Sequence, residues 1–330
     1  MATVGTRNLT LADVSRRLSP DGKVDDVVEL LNEQNEMLDD MTFVEANDGT
    51  THKTTVRTGL PSGTRRKLYG GIQSTKSATA QVVDSCGMLE ALPEIDVDVV
   101  DKSGDPAGTL LSEHTPHLEG LNQDVAQTLW YGDTEVNPER FMGLHQRYNA
   151  LSTDEALSGY NVFSGGGTES ANTSVWLINW GPTATHMIYP KGSTGGLKHE
   201  NLGRDVVTAA DGGKFLAYQS HYKWDVGCTV RDWRSVGRIA NVDVGDLEAE
   251  SSAADLIKLM IRCSERVQMT GGRPAWYMHE RVRTMLRIQM LNHTNTNLTF
   301  ETIEGRKVMM FDGIPIRISD QLLLTEAVIS

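Results

Sequence analysis

Two glycine-rich stretches come first among the residues that could do chemistry. "GGGTES" (Gly165–Ser170) and "PKGSTGG" (Pro190–Gly196) resemble loops whose backbone N–H groups cradle a phosphate. Neither has the Gly-Lys-Ser/Thr ending that would set a lysine on the phosphates and a hydroxyl on magnesium, so turn glycine is the better reading. His114 and His117 stand three apart, but the Thr115–Pro116 between them signals a helix start, not a helical ligand face. No Cys or His lies at zinc-finger spacing. No Gly-x-Ser-x-Gly elbow presents a nucleophile, and among nine histidines nothing selects one for a Ser/His/Asp triad. The many paired acids of the first hundred residues read as solvated helix faces. The sequence therefore predicts no catalytic residue, no metal and no cofactor.

Charge is more informative. The net charge of −13 argues against a general nucleic-acid binder, but its distribution is uneven. Asp25 to Asp48 holds nine acids and no Lys or Arg, Gly49 to Val83 six basic residues and no acid, and Asp84 to Asp105 seven acids against Lys102. A head-to-tail contact between copies would use the basic block and both acidic ones, and such heterologous contacts build rings. The candidate subunit-contact residues are Lys53, Arg57, Arg65, Arg66, Lys67 and Lys76 on the basic side, and Asp39, Asp40, Glu94 and Asp96 on the acidic side. The competing use of the basic stretch 53–76 is as a nucleic-acid-binding arm.

The elements that must position these groups are legible in part. The 330 residues suffice for one large or two modest domains. No signal peptide or membrane span is expected, and three widely spaced cysteines (Cys86, Cys228, Cys263) fit free thiols in a reducing compartment. "VDDVVELLNEQNEMLDDM" spaces Val27, Leu30, Leu31, Leu38 and Met41 on a helix face. The stretch that follows, rich in Gly, Ser and Thr, cannot bury itself, and reads as a disordered loop or an arm laid against something else. Thr115 caps a helix with Pro116 at its first position and Gly132 at its end, burying Leu118, Leu121, Val125 and Leu129.

From about residue 172 the period becomes two. "TSVWLINW" and "THMIYP" are strands about the turn "GPTA", and Leu216–Val230 is a very long strand or one bent near Gly227. Tyr218, Tyr222 and Trp224 share a parity that would suit base stacking, but Leu216, Val226 and Val230 beside them favour sheet packing. An amphipathic helix over 251–269 sets Lys258, Arg262, Glu265 and Arg266 opposite its apolar stripe. A strand running into a helix and a hairpin turning at Glu304–Arg306 follow. In the closing "GIPIRIS", Ile314, Ile316 and Ile318 alternate with Pro315 and Arg317, and the proline predicts a sheet edge. Strands and helices in separate runs make the class α+β.

"TVRTGLPSGTRRKLYGGIQSTKSATAQ", "LWYGDTEVNPERFMGL", "HMIYPKGSTGGL" and "FDGIPIRISD" together resemble the major capsid proteins of tailed bacteriophages, in a subfamily of the Hong Kong 97-like fold. The likeness spans nearly the whole chain. It implies an N-terminal arm at 1–50, an extended loop at 51–85, and a peripheral domain at 86–150 with a spine helix at 116–131. A peripheral sheet with long strands at 151–235 and an axial domain with closing strands at 236–330 would complete it. Little chain follows the Gly-x-Pro strand, so permuted strand connectivity is allowed for. The implied function is mechanical: hexamers and pentamers close into an icosahedral head around double-stranded DNA, without sequence-specific binding and without a membrane. The implied partners are other copies, a scaffolding protein and a portal, with a decoration or cement protein as a further candidate, in a virion assembled in the host cytoplasm. Some relatives crosslink through lysine and asparagine; Lys67 and Lys76 lie in the right loop, but no local motif supports the reaction. The alternative functions are a cytosolic oligomeric enzyme and a nucleic-acid-binding module using 53–76.

Overall fold

A computed structural model of the chain describes residues 35–168, 170–209, 211–249, 254–292, 298–303 and 306–330. The first 34 residues, with part of the first acidic block and most of the helix expected there, and the tip of the closing hairpin at Glu304–Gly305, lie outside the described residues.

Along the chain come α1 (Met37–Asp40), β1 (Phe43–Glu45), β2 (Thr51–Gly59), β3 (Ala78–Ser85), β4 (Gly87–Ala91), β5 (Glu94–Asp96), α2 (Val97–Lys102) and α3 (Pro106–Tyr131). Next are α4 (Leu144–Arg147), β6 (Val162–Ser164), β7 (Asn172–Trp180), β8 (Thr185–Tyr189), β9 (Lys198–Thr208), β10 (Lys214–Val230) and β11 (Val236–Asp243). The chain closes with α5 (Val244–Ala249), α6 (Leu256–Arg266), β12 (Arg273–Met278), α7 (Glu280–Asn292), β13 (Leu298–Ile303), β14 (Arg306–Phe311) and β15 (Ile314–Ile318). These elements make two units. The smaller holds Met88–Val125 and Gly196–Asp225, and the larger holds 35–87, Ala126–Gly195 and Val226–Ser330, so α3 and β10 contribute to both.

In the larger unit the sheet runs β13-β14-β15-β12-β7-β8-β10. Its centre is β7, buried at every position and paired antiparallel with β12 on one side and β11 on the other. Such a run of Val, Trp, Leu and Ile suits a strand covered on both faces. Val175 and Leu177 join Trp276, Met278, Leu256, Met260, Val282 and Leu286 from β12, α6 and α7 in one core. Trp176 meets Trp130 at 5.7 Å and Tyr148 at 6.1 Å, ring centre to ring centre. Each such side chain contributes roughly 1.5–3 kcal/mol on burial. The expected pairing of β7 with β8 about the 181–184 turn is replaced by a single parallel bridge, Trp180 to Thr185. β8 instead pairs with β1 and β10.

The closing strand β15 is not an edge. It pairs with β14 through Ile314 and Pro315, and with β12 through Ile316, Arg317 and Ile318. The proline is tolerated because the β12 ladder begins one residue after it. Nor does Arg317 face open solvent: it makes a two-pronged ion pair with Asp40 of α1, at 3.0 and 2.9 Å. The amphipathic α6 forms as expected, with Asp255 capping it by accepting from the Lys258 N–H. Arg266, expected on its open face, instead lies over the Tyr160 and Phe163 rings at 4.0 and 4.3 Å.

The last residues are fastened by a buried polar network. Arg238 donates to Glu326 at 2.8 Å, to Ser174 at 2.9 Å and to the Tyr148 carbonyl at 2.8 Å. The Tyr131 hydroxyl donates to Glu326 at 2.5 Å, and the Ser174 hydroxyl also donates to that carboxylate. Asn241 exchanges two 2.8 Å hydrogen bonds with Ile329.

In the smaller unit β10 pairs with β9 on one side and β5 on the other. Ile95, Val99 and Val100 form a small core against Leu110 and Tyr218. β10 is one 17-residue strand; its irregularity against β9 falls at Gln219–Ser220, while Gly227 marks a close approach of the Ser85 carbonyl. Leu216, expected in the core, is exposed.

Helix α3 starts ten residues before its predicted start and carries Pro116 inside it. Asp105 caps this earlier start, accepting from the Gly108 N–H at 3.1 Å. Thr115 is no cap: its hydroxyl donates back to the Leu111 carbonyl. Leu121, Val125 and Leu129 are buried as expected, whereas Leu118 is exposed. Gly132 ends the helix, bonding the Thr128 carbonyl at 2.8 Å. A methyl there would strike the Phe141 and Thr128 carbonyl oxygens. Gly132→Ala should therefore cost about 1–3 kcal/mol, read as a lower urea midpoint with an unchanged slope.

Candidate assembly surfaces

The basic block forms a hairpin. β2 and β3 pair antiparallel from Thr51↔Ser85 to Gly59↔Ala78, so this stretch is ordered, with threonine and valine supplying strand propensity in place of a core. A tight turn starts it: Thr51 and Asp48 exchange backbone hydrogen bonds, Asn47 bonds both backbone groups of Lys53, and Lys53 is ion-paired to Asp48. Beyond the root the hairpin stands open. Leu60, Leu68, Tyr69 and Ile72 are 83%, 87%, 105% and 70% exposed. Arg57, Arg65, Arg66, Lys67 and Lys76 are exposed and have no ion-pair partner among the described residues.

The acidic candidates differ from one another. Asp39 is exposed. Asp40 is spent inside the larger unit, on Arg317 and on the Tyr277 hydroxyl at 2.9 Å. Glu94 accepts from Gln219 at 2.9 Å, and Asp96 caps α2 by accepting from the Asp98 N–H. Asp98, which the sequence reading did not single out, keeps an exposed carboxylate beside Lys102 at 3.5 Å.

The chemical candidates are occupied or inert. The Gly165 and Gly167 N–H groups donate to the Ala240 and Asn241 carbonyls, and those of Lys191 and Gly192 to Gly49 and Glu45, so neither loop offers a phosphate cradle. His114 and His117 lie inside α3 rather than at its start. Tyr222 stacks on His199 at 4.6 Å and Tyr218 packs on the small core, as sheet packing requires. Cys228 and Cys263 are buried and outside any disulfide; burial pushes the Cys228 thiol up to about 12 and raises that of Cys263, which makes both poor nucleophiles. Among the described residues no cluster of His, Cys, Asp and Glu is placed to hold a metal ion, and no helix is long and apolar enough to cross a membrane.

A family model described as major capsid protein GP7 matches residues 19–330. The chain belongs to the GP7 major capsid protein family. A solved structure of bacteriophage Epsilon15 is similar over 100% of this chain and 99% of that one, at 35% identity and a TM-score of 0.77. More distant likenesses include the bacteriophage JBD30 capsid, at 9% identity over 88% of this chain and 92% of that one with a TM-score of 0.49. The capsid of a native GTA particle matches 66% of this chain and 92% of that one, at 9% identity and a TM-score of 0.43. A search of curated proteins finds no match. As a GP7 family member the chain is a structural protein of the virion, not an enzyme; its copies associate into an icosahedral shell, on the Hong Kong 97-like fold.

Proposed function

We propose that the Thr51–Ser85 hairpin is the extended loop of a shell subunit and carries the contact between neighbouring copies. The observation behind this is the hairpin itself: large apolar and basic side chains lie together along 57–76, and nothing described in the chain covers them. Large exposed apolar groups rimmed by charge mark a protein contact, and Leu68 and Tyr69 beside Arg65–Lys67 fit an acidic, partly apolar receiver better than a phosphate backbone. The receiver on the neighbouring copy is the acidic stretch 84–105, where Asp98 is open and Met88 and Leu92 are exposed. Copies joined in this way form hexamers and pentamers that close around double-stranded DNA. Assembly takes place in the host cytoplasm with a scaffolding protein and a portal, and a decoration protein can bind the finished shell. The acidic net charge suits a container whose wall must not hold its DNA tightly.

The test is purification of the chain, co-expressed with a candidate scaffolding protein, followed by sizing and negative-stain microscopy. Rings or shells are expected. A stable monomer or dimer under every condition would overturn the reading.

A further inference from the structure

The hairpin is exposed along most of its length, and its attachment is unusual. Of the residues in β2 and β3, those buried are His52, Thr54 and Asp84, all polar. No apolar side chain of either strand is buried. His52 pairs in register with Asp84 and meets His186 of β8 edge to face, ring centres 5.4 Å apart. Asp84 accepts from Arg147 at 2.7 Å, and Arg147 also donates to the Cys228 carbonyl at 3.0 Å.

This root is only partly satisfied. His52 Nδ1, Thr54 Oγ1, the second Asp84 oxygen, Arg147 Nε and Thr229 Oγ1 are buried without a hydrogen-bond partner in the protein. The same holds for both ring nitrogens of His186, apart from a loose approach to the Gly181 backbone. Buried polar atoms left unpaired are costly, and a half-satisfied network is where local opening starts. An apolar root would hold at any pH; this one depends on the charge state of two imidazoles.

We propose that the His52–His186 pair is an acid-sensitive fastening: neutral imidazoles keep the root of the hairpin seated on β8, and their protonation releases it. This goes beyond the assembly role and does not depend on it. The charged groups around the pair are Asp84, Arg147 and Arg231. Burial lowers both imidazoles, His186 to about 4; Arg231 lowers both further, and Asp84 opposes this at His52. The folded root therefore favours the uncharged rings. The stability they contribute is complete above the ordinary imidazole value near 6.5 and is lost as pH falls from there toward 4.

The test is hydrogen exchange read by mass spectrometry on the unassembled full chain at pH 7.5 and 5.0, expressed as protection factors. From the His186 shift alone, protection of 51–56, 82–86 and 185–189 should fall about 30-fold at pH 5.0. Protection of β12, which carries no histidine, should hold within about threefold. His186→Gln should make root protection nearly independent of pH, and His186→Asn carries the same arm if His186→Gln does not fold. Root protection that does not change with pH overturns the proposal. So does a fall shared equally by β12, which would be global acid unfolding, or a fall that persists in both variants, which would place its origin outside the imidazole pair.

Discussion

Reversing the charge of Arg65, Arg66 and Lys67 together to glutamate will cut the yield of closed shells at least about tenfold, while the subunit keeps its fold. These side chains are exposed and make no ion pair among the described residues, so their replacement removes nothing that holds the subunit together. Against an acidic neighbour, three attractions become three repulsions, and like charges across an interface cost several kcal/mol. A shell repeats that penalty at every copy. Circular dichroism and urea unfolding of the unassembled variant should match the parent, and a sizing column should show subunits where the parent gives particles. Normal shells with weakened DNA affinity would favour the nucleic-acid-binding reading of the same residues.

Glu326→Ala will lower the unfolding free energy of the subunit by about 3–5 kcal/mol. Glu326 and Arg238 are both buried, with the carboxylate also receiving Tyr131 and Ser174. Truncation leaves the guanidinium uncompensated in the interior and strands those two hydroxyls. Removing both charges in Arg238→Met with Glu326→Leu should restore much of the loss, because the desolvation of each charge disappears with it. Urea unfolding of unassembled subunits reads all three variants. A loss below about 1 kcal/mol for Glu326→Ala would mean that the last ten residues do not brace the sheet.

Elements with strong local signals were legible in the sequence. The 3.6-residue period of α6 and the apolar content of β7, β12 and β15 found their elements. Other local signals misled. Thr115–Pro116 reads as a cap and first-turn proline, but the helix starts at Asp105–Pro106 and absorbs Pro116, an interior proline that costs about 3 kcal/mol. Pro315 pointed to an edge because the rule concerns the missing N–H, whereas the position of β15 between β14 and β12 depends on pairing with residues far away in sequence.

The proposed assembly surface rests on a charge pattern that was legible in the sequence. That pattern marked the stretch that folds as a basic hairpin, but pattern alone could not separate Asp40, which holds Arg317, from Asp39, which stays open. The hairpin root was invisible: His52 and His186 lie far apart in the sequence, and no local motif joins them. The same is true of Arg238 and Glu326.

The central claim is that the hairpin of one copy docks on the acidic stretch of another. Its most direct test uses shells assembled from an equal mixture of nitrogen-15-labelled and unlabelled chains. A carbodiimide then couples touching lysines and carboxylates without a spacer. The account predicts crosslinks from Lys67 or Lys76 to the 90–101 acids, with heavy and light peptides joined as often as like with like. Crosslinks confined to like isotopes would place the hairpin on its own chain, and their absence from intact shells would show that it touches no acidic surface; either result contradicts the claim.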